Sequence, residues 1–105
     1  MLNSIKSFFN PPSISVNEVK SNLNLETSIL LDVREKNERT IRHIPESVHI
    51  PAGELKNRLN ELIPNKDKKI IVYCASGVRS AMATAILNKN GFTALSMTGG
   101  LSAYI

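Results

Sequence analysis

Two rhythms of apolar residues alternate along the chain. Short unbroken runs, Ile29-Leu30-Leu31 and Ile70-Ile71-Val72-Tyr73, have the length and β-branched character of strands buried on both faces. Phe92-Thr93-Ala94-Leu95-Ser96-Met97 reads as a final strand, and Ser13-Ile14 and Val48-His49-Ile50 as short ones. Between them, apolar residues recur at helical spacing. Val16, Val19 and Leu23 follow a Ser15-Val16-Asn17-Glu18 capping box. Leu55, Leu59 and Leu62 predict an amphipathic helix over Gly53 to Ile63, stopped by Pro64. Ser80 to Leu87 is rich in helix formers and ends at Asn90-Gly91. Glu35 to Ile41 predicts a short exposed helix, His43-Ile44-Pro45-Glu46-Ser47 a turn, and Leu101 to Ile105 a last apolar turn after Gly99-Gly100. The order is β-α-β-α-β-α-β-α-β. It predicts an α/β fold with a mostly parallel five-stranded sheet and helices on both faces.

The 105 residues fit one core, with Pro11-Pro12 dividing an N-terminal arm, residues 1–12, from a domain over residues 13–105. Leu2, Ile5 and Phe9 lie at helical spacing, which suits a docking helix or ordered arm better than a membrane-surface anchor. No run is long enough for a membrane span, and the first residues lack the form of a signal peptide. A net charge of +4, scattered and without Trp, gives no stacking surface for nucleic acid. His43 and His49 with one cysteine do not compose a metal set, and no cofactor is implied. A lone cysteine excludes an internal disulfide and fits a reducing, cytoplasmic setting.

That cysteine, Cys74, closes the run Ile70-Ile71-Val72-Tyr73 at the tip of its strand. Ala75, Ser76, Gly77 and Val78 follow, small or able to bend, then Arg79 and Ser80. Such a loop can turn its amides inward as an anion nest. The helix beginning near Ser80 aims its positive end there, and Arg79 adds a cation. A free thiol titrates near ~8.5, and lowering it by ~2 units takes about 2.7 kcal/mol of preferential thiolate binding. Cys74 is thus placed as an activated nucleophile with an anionic adduct. Asp32 and Arg34 flank the neighbouring strand end. Asp32 is read as holding loop backbone or pairing with an Arg in preference to acting as an acid or base, and Arg34 as the partner of a neighbouring carboxylate in preference to leaning toward the site; both are candidates for support behind it. Ser80 is read first as the helix cap and second as a hydrogen-bond partner of the Cys74 sulfur.

The chain resembles the rhodanese family of sulfurtransferases. The resemblance rests on Leu31-Asp32-Val33-Arg34-Glu35, His43-Ile44-Pro45, Val48-His49-Ile50-Pro51, Ile71 to Ser80, Asn90-Gly91-Phe92 and Gly99-Gly100-Leu101, in that order. It implies a double displacement. Cys74 takes the outer sulfur of a donor such as thiosulfate as a persulfide, and a thiol or cyanide removes it. Small-molecule donors and acceptors, or a protein donor or acceptor, are the implied partners. A persulfide carrier or binding module without efficient turnover is the alternative. The Cys-x4-Arg spacing makes a tighter cradle than the Cys-x5-Arg of tyrosine phosphatases, which disfavours phosphatase or arsenate reductase chemistry. Arg42, Glu46-Ser47 and Tyr104 depart from family habits, where Gly, Gly-Ala and Trp are common. Ala75 and Ser76 are uncharged, which weakens the case for the thiosulfate dianion as donor.

Overall fold

The computed structural model describes residues 10–105; the expected helix through Leu2, Ile5 and Phe9 lies outside them. Five parallel strands, β1 (Ser13–Ile14), β2 (Ser28–Asp32), β3 (Val48–His49), β4 (Lys69–Tyr73) and β5 (Thr93–Met97), are ordered β1-β5-β4-β2-β3. Four helices accompany them: α1 (Val16–Asn22), α2 (Lys36–Ile41), α3 (Val78–Lys89) and α4 (Gly100–Tyr104). Strand alternation divides the apolar residues between two faces. Leu31, Ile70, Val72, Cys74 and Ala94 pack with Ala83 and Leu87 of α3, whereas Leu30, Ile71, Tyr73 and Met97 pack with Val19 of α1 and Leu101 of α4. Both faces of the sheet are covered, so β4 is buried from Ile70 to Tyr73.

The sheet order also fixes where chemistry can sit. From β2 the chain moves outward to β3, crosses back to β4 and then leaves the other way to β5. The direction reverses between β2 and β4, and in open α/β sheets the crevice beyond the carboxyl ends of such strands accepts ligands. Asp32 ends β2 opposite Tyr73, and Cys74 is the next residue along.

One expected element differs. The stretch from Gly53 to Ile63 is not an α-helix but two 3-10 segments, Ala52–Asn57 and Leu59–Asn65. Arg58 interrupts them with φ −122° and ψ 15°, and its guanidinium binds Glu54 and Glu61 on either side. Pro64 lies inside the second segment instead of stopping it. Without an N–H it cannot bond to Asn60, and its ring disfavours α backbone at Ile63. Leu55 and Leu62 are buried all the same, because an i, i+3 or i, i+4 rhythm over one turn serves either helix type.

Glu46 has a left-handed φ of 69°. An L-residue there is strained by roughly 1 kcal/mol. Glu46→Gly is therefore expected to raise thermal stability by up to about 1 kcal/mol in a melting experiment, with an unchanged or lower melting point counting against the strain.

Candidate active site

Cys74 leaves β4 on the α3 face and is 1% exposed. Its sulfur accepts hydrogen bonds from the amide of Gly77 at 3.0 Å and of Ser80 at 3.4 Å. The Ser80 hydroxyl lies 3.6 Å away. Gly77, with φ 113°, is the residue that caps α3, and the helix starts at Val78. This corrects the assignment of the cap to Ser80, which lies three residues further in. A φ of 113° is open to glycine and strained for other residues, so Gly77 alone among its neighbours can make the turn. Ser80, fully buried, is released for the second role, beside the sulfur.

Burial pushes the Cys74 thiol up, but the Ser80 hydroxyl and the amides of Ser80, Gly77 and Ser76 hold the thiolate, and the balance falls below the ordinary thiol value. The lowering comes chiefly from hydrogen bonds, not from a nearby cation. Arg79 makes a bidentate pair with Glu38 of α2, at 2.6 and 2.9 Å. The free cation expected at the end of the loop is thus largely neutralised, and it serves to tie α2 to α3. The pair holds the Glu38 carboxyl down to about 2, and that carboxylate also accepts from the Glu35 amide to cap α2. Because the folded value is depressed, the stabilisation is present above the unfolded carboxylate range and is lost as pH falls toward about 2. Two variants separate the contributions. Arg79→Ala is expected to raise the pH midpoint of Cys74 alkylation only slightly, since the amides and Ser80 remain and only the Glu38 carboxylate is left uncompensated. Glu38→Gln, which frees the guanidinium, is expected to lower it. A rise of a full unit in Arg79→Ala would show that the cation, not the amides, sets the thiolate.

The loop is held from outside by α4. The amides of Leu101 and Ser102 donate to the carbonyls of Cys74 and Ala75, at 2.8 and 3.1 Å. Fixing those carbonyls toward α4 fixes the orientation of the peptides in a loop whose later amides face the sulfur. The approach is close: a Cβ on Gly100, φ 62°, would lie 2.5 Å from the Cys74 carbonyl oxygen.

Asp32 and Arg34 do not reach the sulfur. Asp32 is fully buried and accepts from the Arg34 amide and guanidinium, from Arg39 and from the Tyr73 hydroxyl. Burial pushes its carboxyl up, yet the bonds from Arg34 and Tyr73 outweigh that and hold it below its usual range. Arg34 also donates to the Arg42 carbonyl. Together these residues brace the ends of β2 and β4, one residue before the thiol. Ala75 is half-buried, and Ser76 and Val78 are exposed at the mouth. His43 and His49 bind the carbonyls of Arg39 and Arg34, and among the described residues no cluster of metal-ligating side chains occurs. Glu38, Gly100 and Ser96, whose hydroxyl is 2.8 Å from that of Ser80, escape sequence reasoning. Their signals are faint: a doubled glycine after a strand, and one serine on the inward face of β5.

The rhodanese-like domain model covers residues 15–105. This chain belongs to the rhodanese-like domain family. It is 44% identical over 82 residues to the putative sulfur carrier protein YrkF of Bacillus subtilis, a match covering 77% of this chain and 43% of that protein. It is 34% identical over 71 residues to the thiosulfate sulfurtransferase PspE of Escherichia coli, covering 68% of each. A rhodanese-related protein of Thermoplasma volcanium superposes with a TM-score of 0.80 at 33% identity, covering 89% of both chains. The chain spans less than half the length of YrkF and 33% of the tRNA uridine(34) hydroxylases of Buchnera aphidicola that it also matches. The expected α/β architecture and family are borne out; sulfur carriage and thiosulfate sulfur transfer are what the names of YrkF and PspE give for those proteins. No helix among the described residues is long and apolar enough to cross a membrane.

Proposed function

We propose that the protein is a sulfurtransferase that carries sulfane sulfur as a Cys74 persulfide. The observation that carries this reading is the set of groups converging on one buried sulfur: the Gly77 and Ser80 amides donate to it, and the Ser80 hydroxyl lies beside it. In the first step the Cys74 thiolate attacks the outer sulfur of thiosulfate, the S–S bond of the donor breaks, and sulfite leaves with the electron pair. In the second, an acceptor thiolate or cyanide attacks the terminal sulfur, and the Cys74 thiolate returns as the leaving group. No electrons enter or leave, and no cofactor is required. The catalytic residue is Cys74. Residues 75–78 and Ser80 form the anion-binding loop, and Asp32 and Arg34 brace the strand ends behind it. Arg79 acts through Glu38 by holding α3 against α2, and touches no reacting atom. A lone thiol kept reduced is consistent with a cytoplasmic site of action.

The identity of the donor turns on charge. Residues 75–80 offer no free cation once Arg79 is paired with Glu38, so a dianion such as thiosulfate gains little at the mouth. A low-molecular-weight or protein persulfide, which presents one terminal sulfur and a single charge, suits the neutral rim better. This favours the carrier role as the physiological one, with thiosulfate as a surrogate. The same neutral, narrow loop suits phosphate poorly.

The test begins by incubating the protein with thiosulfate and with a small alkyl persulfide. A one-sulfur mass gain on Cys74 is expected from both, faster from the persulfide. Cyanide should then discharge it as thiocyanate. No mass gain from either donor would overturn the reading, and loading without turnover would leave carriage as the function.

A further inference from the structure

The Ser80 hydroxyl has more neighbours than a single hydrogen can serve. It lies 3.0 Å from the Gly77 carbonyl, 3.6 Å from the Cys74 sulfur and 2.8 Å from the hydroxyl of Ser96 on β5. A hydroxyl has one hydrogen to give and two lone pairs with which to receive. The Gly77 carbonyl can only accept, so in the thiol state it takes the Ser80 hydrogen while Cys74 S–H donates to Ser80. Ser96 is 5% exposed, and among the described residues its hydroxyl oxygen has no hydrogen-bond partner other than Ser80. Its own hydrogen therefore belongs on the second lone pair of Ser80; the opposite direction would strand a buried donor.

We propose that Ser96 is a positioning residue for the sulfur site: its buried hydroxyl donates to Ser80, so that Ser80 can turn its only hydrogen from the Gly77 carbonyl to the Cys74 sulfur when that sulfur becomes an anion. The turn leaves nothing unpaired. The Gly77 carbonyl keeps a second donor, the Ala81 amide at 3.1 Å, which belongs to the helix ladder of α3. Ser80 keeps Ser96 as its donor in both states. A hydroxyl that receives a hydrogen bond is also a stronger donor through its own hydrogen. Ser96 thereby strengthens the one side-chain hydrogen bond available to the anion among the described residues and prevents Ser80 from settling toward β5 as a donor. The device is a rotor between two acceptors, biased by a fixed third hydroxyl. It serves the thiolate, the form of Cys74 that attacks a donor and that leaves again on discharge.

The inference rests on Cys74 as the reacting sulfur, but its test reads the thiol directly and needs no sulfur donor. Failure here is thus separate from failure of sulfur loading. The full chain has one cysteine, so the pH midpoint of iodoacetamide alkylation reports Cys74 alone. The charged groups near the loop, Arg79, Glu38 and Glu35, and those at the strand ends behind it, Asp32, Arg34 and Arg39, are the same in every variant. Ser80→Ala is expected to raise the midpoint by about one unit. Ser96→Ala is expected to raise it by about half a unit, roughly a threefold loss of thiolate at a fixed pH below the midpoint. In the Ser80→Ala background, Ser96→Ala should add nothing. Ser96→Thr, which keeps the hydroxyl, should restore the original midpoint. Melting curves recorded in parallel ensure that each midpoint is read on folded protein. A Ser96→Ala variant that melts lower but keeps its midpoint overturns the proposal. So does a shift of equal size in both backgrounds, which would show that Ser96 acts on the loop as a whole and not through Ser80.

Discussion

Cys74→Ser is expected to lose the one-sulfur mass gain and thiocyanate formation altogether, while still folding. The fold is spared because a serine oxygen can accept from the same amides of Gly77 and Ser80 that now point at the sulfur, and the change in volume is small. A hydroxyl in place of a thiol at a 1% exposed position costs about 1 kcal/mol. Activity is not spared, because a nest that lowers a thiol still leaves an alcohol almost wholly protonated at neutral pH. An oxygen nucleophile would also form an O–S adduct, from which no persulfide can be discharged. Circular dichroism and melting establish the fold, and mass spectrometry with the thiocyanate assay reads the loss. Thiocyanate formation that survives in Cys74→Ser would remove the thiol from the mechanism.

Gly100→Ala is expected to be the most damaging single methyl group in the described chain. Its Cβ would meet the Cys74 carbonyl oxygen at 2.5 Å and the Ala75 carbonyl carbon and oxygen at 2.6 Å. These are backbone atoms, so no side chain can swing aside, and φ 62° adds left-handed strain. Overpacking of this kind costs typically 1–3 kcal/mol, and the strain about 1 more. Retreat of α4 is the cheapest relief, and it breaks the bonds from Leu101 and Ser102 to the loop carbonyls. The expected result is a melting point lowered by several degrees, with the alkylation midpoint of Cys74 displaced upward toward that of a free thiol. A variant that melts lower but keeps its midpoint would show that α4 supports the fold without shaping the nest.

Much of this was legible along the chain, for reasons that differ by element. Ile70 to Tyr73 is apolar because β4 is covered on both sides, and the turn residues after it leave one reading for a strand followed by a helix. Cys74 and its inward amides could be inferred from that local run, since every donor to the sulfur lies within six residues of it. The pairing of Arg79 is invisible in the sequence because its partner, Glu38, lies far away on a different helix, and pairing of that kind leaves no periodic trace. The cap went to Ser80 on propensity, but the Gly77 turn places that side chain inside the helix, where its hydroxyl has the sulfur and Ser96 for company. The stripe Leu55, Leu59, Leu62 located the buried side of the connection correctly. It could not distinguish α from 3-10 backbone, because Arg58 and Pro64 act on dihedral angles and not on the pattern of burial.

The clamp of α4 on the loop has a bearing on when the thiol becomes reactive. Synthesis runs from the N-terminus, so Cys74 is present well before Leu101 and Ser102. The strand pairings are also non-local, with Ser13 and Ile14 registered against Ser96 and Met97, and contacts of that kind form slowly. Until β5 and α4 have docked, the loop lacks its outer restraint and Cys74 is an ordinary, mostly protonated thiol. Maturation of the nucleophile is in this way tied to the last stages of folding. A nascent or misfolded copy lacks the depressed thiol, and the pH midpoint of its single cysteine doubles as a gauge of how complete the fold is.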